Sequence, residues 1–245
     1  MKNLIRGHLY QLKRDNLFFG CLAFSVAFLI VSIRIASLGG GADSSGGIES
    51  LMSTFLGGDF VLYAFMLLTA NMIAEAYRSG VMKNIIGRGI PKKQYYLSVV
   101  VTVSAAFLLV MLLSGIVMGV LAGSRSGLGT ISYPAFYALS VIARILFVMA
   151  HISFAVTMAI LTRNAIAGVI FGLMVPNIPQ ILEMILRFLK IRVDLGFLKI
   201  STHTPSIYEA SNDLSTFLPC LIVLCGYLAV SIFVGLRLLK YQDIK

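Results

Sequence analysis

Ionisable side chains are scarce in this chain, and those inside long apolar runs are the first places to look for chemistry. Arg144 and His151 are seven residues apart, two helical turns, so a helix would carry both on nearly one face with Ser140 above them. An arginine or a carboxylate at mid-bilayer costs about 2.5–3.5 kcal/mol on insertion scales, so both side chains are expected to face protein or water. The counter-ion of Arg144 would be Glu183 or Asp59, unless the long side chain snorkels to the interface. His151 reads more readily as a satisfied interior residue than as a proton carrier. Pro176, Asn177 and Pro179 interrupt another apolar run, because proline cannot donate the backbone bond that a helix needs. A break at membrane depth survives only where protein or water satisfies the freed groups. These three residues are therefore candidates for an outer gate, with a plain kink as the simpler alternative.

Other chemistries lack their signatures. His8, His151 and His203 lie on different segments with no H-E-x-x-H, and no G-x-S-x-G occurs. Cys21, Cys220 and Cys225 fall in apolar runs, without the spacing of a disulfide framework or a zinc site. No G-x-x-x-x-G-K-[ST] phosphate loop is present, so ATP hydrolysis of that kind is not expected here. Neither catalytic residues nor a metal site are expected.

The elements that must position Arg144 and His151 follow from composition. Hydrophobic residues make up 58% of the 245, charged residues 12%, and the mean hydropathy is +0.92, which no soluble domain of this size could accommodate. Crossing roughly 30 Å of hydrocarbon takes about 20 apolar residues. Runs of that kind predict an all-α membrane domain with spans near 17–38, 57–76, 95–122, 137–161, 165–189 and 214–239, the fifth broken at Pro176 and Pro179. The second could begin as early as Leu51. The net charge of +10 is concentrated between spans, in the leader, the loop from Arg78 to Lys93, Arg163 and the tail. By the positive-inside rule that side is cytoplasmic, and both termini lie on it. The first run is too long for a typical signal core and reads as an anchor. Gly115, Gly119 and Gly123, and again Gly168 and Gly172, are spaced to let two backbones approach, as tight packing or a dimer seam.

Two cytoplasmic features exceed what a bare topology needs. Residues 2–15 could form an interfacial amphipathic helix with Ile5, Leu9 and Leu12 on one stripe, or serve only as a charged leader. The loop 77–94 contains Val81, Met82, Ile85 and Ile86 at helical spacing, then Gly87 and Gly89, which can end the helix, and Pro91, which holds Ile90 extended. A short helix exposing apolar side chains, rimmed by Lys83 and Arg88, needs a surface to dock on. Lipid headgroups are one partner and a soluble subunit the other.

A glutamate at the end of the second span (Glu75), a glycine, a short helix and a Pro-Lys-Lys-x-Tyr run into the third span together resemble the type-2 ATP-binding-cassette permease family. The resemblance covers nearly the whole chain, although its motifs are loose. It implies a type-2 exporter fold in which Val81, Met82, Lys83, Asn84, Ile85, Ile86, Gly87 and Arg88 form the coupling helix that enters a cleft on a separate ATPase. It also implies that Glu75 contacts neighbouring helices, that ATP and Mg are held by that ATPase, and that the chain pairs with a second copy or a related permease in a bacterial plasma membrane. Small permeases similar to this one export, or protect against, amphipathic antimicrobial peptides such as lantibiotics. An ion-coupled secondary transporter and a membrane scaffold or sensor remain the competing readings.

Overall fold

In a computed structural model of the chain, described for residues 2–38, 46–129, 134–174, 177–189, 195–198 and 214–241, every regular element is a helix. In order these are α1 (Lys2–Arg14), α2 (Asn16–Leu38), α3 (Gly47–Leu56), α4 (Asp59–Arg78), α5 (Val81–Gly87), α6 (Lys92–Ser126), α7 (Pro134–Thr162), α8 (Ala165–Met174), α9 (Ile178–Phe188), a 3-10 turn at Gly196–Leu198, and α10 (Leu214–Tyr241). Four apolar stretches are long enough to cross a membrane unaided: Gly47–Arg78, Lys92–Ser126, Ala135–Thr162 and Phe217–Tyr241. The pairs Lys2–Arg14 with Asn16–Ser32, bent by 70°, and Ala165–Met174 with Ile178–Phe188, bent by 60°, raise the number to six. Pro176, Asp43, His203 and most of the 187–213 segment lie outside the described residues.

The bundle is organised around α7, whose apolar window is 67% buried against 22–33% for the other three long stretches. It packs on α10, α8, α4 and α6. Phe65 of α4, Phe107 of α6 and Ile152 of α7 are fully buried at its centre. Lipid-sized exposure of Leu113, Val120, Ile222 and Phe233 on the outer faces is what a bundle solvated by hydrocarbon requires.

One end of the bundle is basic. There Lys92 Nζ donates to the Leu239 carbonyl at 2.7 Å, and the Arg163 guanidinium lies over the Tyr77 ring at 5.4 Å. Two helix starts at this end have side-chain caps: Asp15 Oδ1 accepts from Leu17 N at 2.9 Å to open α2, and Asn164 Oδ1 accepts from Ile166 N at 2.9 Å to open α8.

One expectation changes at the far end. The second traverse is interrupted, α3 ending at Leu56 and α4 starting at Asp59, with Gly58 between them in the left-handed region at φ 81°. The glycine stripe of α6 serves tight packing within the chain, one of the two roles its spacing allows. A Cβ at Gly115 would sit 2.8 Å from the Leu51 carbonyl oxygen, and one at Gly119 would sit 2.9 Å from that of Gly47, so α3 lies directly on the α6 backbone. Gly168 and Gly172 serve the same purpose against Ala159 and Ala155 of α7. The fifth traverse is broken, as expected, between Met174 and Ile178, and Pro179 falls in the first turn of α9, where its missing N–H would have had no partner.

Candidate functional site

Arg144 projects from the middle of α7 into the break of the second traverse. Its side chain is fully buried. Nη1 donates to Asp59 Oδ1 at 2.8 Å, and Nη2 donates to the Gly57 carbonyl. One guanidinium thus holds the last carbonyl before Gly58 and the first-turn carboxylate after it, joining the C-terminal end of α3 to the N-terminal end of α4. Asp59 also sits where the positive end of the α4 dipole favours an anion. The rings of Phe107 and Phe147 flank the guanidinium carbon at 5.6 and 5.3 Å, which excludes lipid and adds cation–π attraction. Arg144 Nε is buried without a hydrogen-bond partner among the described residues.

Of the two carboxylates weighed as counter-ion, Asp59 is therefore the one used. Glu183 is buried on α9 but pairs with Arg187, one turn further on the same helix. The Asp59 side chain remains 28% exposed, so the pair is buried at its cationic end and open at its anionic end. His151, two turns along α7, donates from Nδ1 to the Phe147 carbonyl at 2.9 Å and lies against the Phe147 ring at 4.2 Å. That bond assigns the tautomer and leaves His151 as part of the packing.

A second polar cluster, unmarked by any motif, joins the three helices nearer the basic end. The Tyr96 hydroxyl of α6 lies 2.6 Å from Ser153 Oγ and 2.9 Å from Thr157 Oγ1 on α7, and Ser231 Oγ of α10 donates to Ser153 Oγ at 2.6 Å. All four residues are buried. Gly235 makes room for the Tyr96 ring, since a Cβ there would meet Tyr96 Cε2 at 2.6 Å.

The loop helix α5 stands between two left-handed glycines, Gly80 at φ 69° and Gly89 at φ 82°. Its orientation differs from the expected apolar display. Met82 is fully buried, Ile85 and Ile86 are half-buried against the core, and the surface is formed by Val81, Lys83, Asn84, Gly87 and Arg88. The helix is thus keyed into the bundle on one side and mostly polar and cationic on the other. Glu75, one turn before the end of α4, is exposed. It borders a cleft of about 670 Å³ between the α1–α2 corner and α5, together with Arg14, Asp15 and Asn71.

The leader helix α1 docks through His8 and Leu12, both buried, while Leu9 faces outward. His8 Nε2 is 3.1 Å from Ser98 Oγ of α6, and its ring meets Tyr95 edge-on at 5.4 Å. Burial holds the His8 pKa below the ordinary histidine value, and a side-chain hydrogen bond with Gln11 opposes that only partly.

An apolar groove of about 540 Å³ opens between α7, α9 and α10, walled by Phe154, Ile178, Pro179, Ile222 and Tyr227. Asn177 lies at its rim, just before α9, and donates from Nδ2 to the Leu173 carbonyl at 2.8 Å. No group of three or more histidine, cysteine, aspartate or glutamate side chains able to hold a metal ion occurs among the described residues.

The fold and these sites define an all-helical protein with four to six apolar spans, consistent with a helical membrane protein. No protein-family model, curated protein or solved structure matches the chain.

Proposed function

We propose that this chain is the membrane-spanning subunit of an ATP-driven exporter of the type-2 ATP-binding-cassette kind, working as a pair with a second permease copy, with ATP and Mg held by a separate ATPase. The observation that carries the reading is α5. A seven-residue helix keyed into the bundle by Met82, flanked by two left-handed glycines and packed on α4, stands at the basic end where a partner could bear on it. Its exposed Lys83, Asn84 and Arg88 suit a polar or acidic cleft on a soluble partner. A secondary transporter has no evident use for such a projection. The apolar groove between α7, α9 and α10 supports an amphipathic cargo, of which antimicrobial peptides are the favoured class.

The test is to isolate the tagged chain from its native membrane and measure co-purifying ATP hydrolysis, with cross-links mapped to α5. Reversing both exposed charges, Lys83→Glu with Arg88→Glu, should remove the ATPase while leaving the helical content unchanged. Full ATPase recovery in that variant, or ion-driven flux through the chain alone in vesicles without nucleotide, would defeat the proposal.

A further inference from the structure

The cleft beside Glu75 carries charges of both signs that the chain does not use against each other. Its volume is about 670 Å³, and Arg14 of α1, Asp15 of the α1–α2 corner and Glu75 of α4 all line it. Among the described residues no ion pair joins Arg14 to either carboxylate. Arg14 Nη1 donates to the Tyr10 hydroxyl at 3.0 Å, which leaves the other N–H donors of the guanidinium unspent. Asp15 Oδ1 is occupied by the Leu17 N–H that it caps. The Glu75 carboxylate has no such duty, because Ser79 Oγ donates to the Glu75 backbone carbonyl at 2.7 Å and not to the side chain. Of the other polar groups in the lining, Gln11 is turned to His8, whereas the amides of Asn16 and Asn71 each add an acceptor and two N–H donors.

Two unspent charges of opposite sign, on different helices, select a ligand that carries both. A lone anion would meet the carboxylates, and a lone cation would meet the guanidinium. At roughly twenty times the ~30 Å³ share of a liquid water, the space suits a headgroup of several atoms and not a bare ion. The depth fits as well: α1 turns by 70° into α2 at this corner, at the basic end of the bundle, where an interfacial helix meets a spanning one. A quaternary ammonium would need an aromatic face, and the Tyr10 ring in the lining already has the Arg14 guanidinium over it at 5.5 Å. We infer that this cleft binds the phosphoethanolamine headgroup of a membrane lipid, with the phosphate on Arg14 and the primary ammonium on Glu75. The site involves no ATPase and goes beyond the export reading.

The experiment uses the full chain, delipidated in an uncharged detergent and isotopically labelled at asparagine, so that the side-chain amides of Asn16 and Asn71 report on the cleft by NMR. Dihexanoyl phosphatidylethanolamine is titrated below its micellar concentration, with the matching phosphatidylcholine and phosphatidylglycerol and with free phosphoethanolamine as controls. Saturable shifts at both amides are expected with the ethanolamine lipid. Binding should be weaker by about tenfold with the other three, which lack in turn the N–H donors, the cation and the acyl chains. Equal binding of the choline or glycerol lipid, equal binding of free phosphoethanolamine, or the absence of saturable shifts would each overturn the assignment. Arg14 and Glu75 are exposed, so variants at these positions are expected to fold. Glu75→Gln should bring the ethanolamine and choline lipids to within about twofold of each other, and Arg14→Gln should weaken the ethanolamine lipid by about tenfold, both with helical content retained. A preference kept in the first variant, or an affinity kept in the second, would overturn the assignment as well, and should a variant not fold, selectivity among the four ligands on the unaltered chain decides.

Discussion

Replacing Arg144 by Met isolates the contribution of the clasp across the α3–α4 break. The substitution keeps an unbranched stem between Phe107 and Phe147 but removes both donors, leaving Asp59 and the Gly57 carbonyl without them. Breaking a buried ion pair from one side costs roughly 3–5 kcal/mol, because the other charge is stranded. Asp59 is 28% exposed and can rehydrate in part, which places the loss near the lower bound, about 3 kcal/mol. Asp59→Asn in the same background removes the stranded charge, so the double variant should recover about half of that loss. The coupling in a double-mutant cycle should exceed about 1.5 kcal/mol by the amount that Asp59→Asn alone costs. The assay is reversible unfolding in mixed micelles, followed by far-UV circular dichroism. If Arg144→Met lies within about 0.5 kcal/mol of the parent, or if single and double variants are equally destabilised, the clasp does not hold the break together and the reasoning fails.

Three further outcomes follow from other contacts. Gly119→Val would drive a side chain into the Gly47 carbonyl, 2.9 Å from where its Cβ would lie, and should destabilise by about 1–3 kcal/mol or more, with proteolysis of α3 accelerated. Met82→Ala empties a fully buried position and should cost about 2–5 kcal/mol locally, read as faster amide exchange confined to 80–90. Docked α1 favours neutral His8, whose pKa is lowered, so its docking is fully present above the ordinary value near 6.5 and weakens as pH falls below it. Exchange of the α1 amides should rise as pH falls below about 6.5, and His8→Gln should abolish that dependence.

The long traverses were readable because runs such as Tyr95–Ala122 are apolar all round and bounded by Lys92, Lys93 and Arg125. The partner of Arg144 could be narrowed to two residues for a related reason, since few carboxylates are within reach of the apolar interior. Other features were hidden by the distance between contacting residues. Leu51–Leu56 continues the apolar character of the second traverse, so nothing in composition separates α3 from α4, and the occupant of the α6 glycine stripe is set by tertiary packing alone. In a helix as short as Val81–Gly87 the apolar spacing cannot say whether Met82 or Ile85 turns inward. Tyr96, Ser153 and Ser231 are separated by up to 135 positions, and hydroxyl residues are too common in membrane helices to be paired by inspection. His8, weighed only as a failed metal-motif residue, has instead a docking contact with Ser98.

Consider α4 as a mechanical part. Its 20 residues form a rod about 30 Å long with α5 fixed at one extremity and the Gly57–Gly58 joint at the other. Arg144 straddles that joint like a fulcrum pin, seated in α7, the most enclosed helix of the bundle. Because α4 is packed along its length against α7 and α8, a displacement of the α5 extremity would reach the pinned joint only together with those two helices.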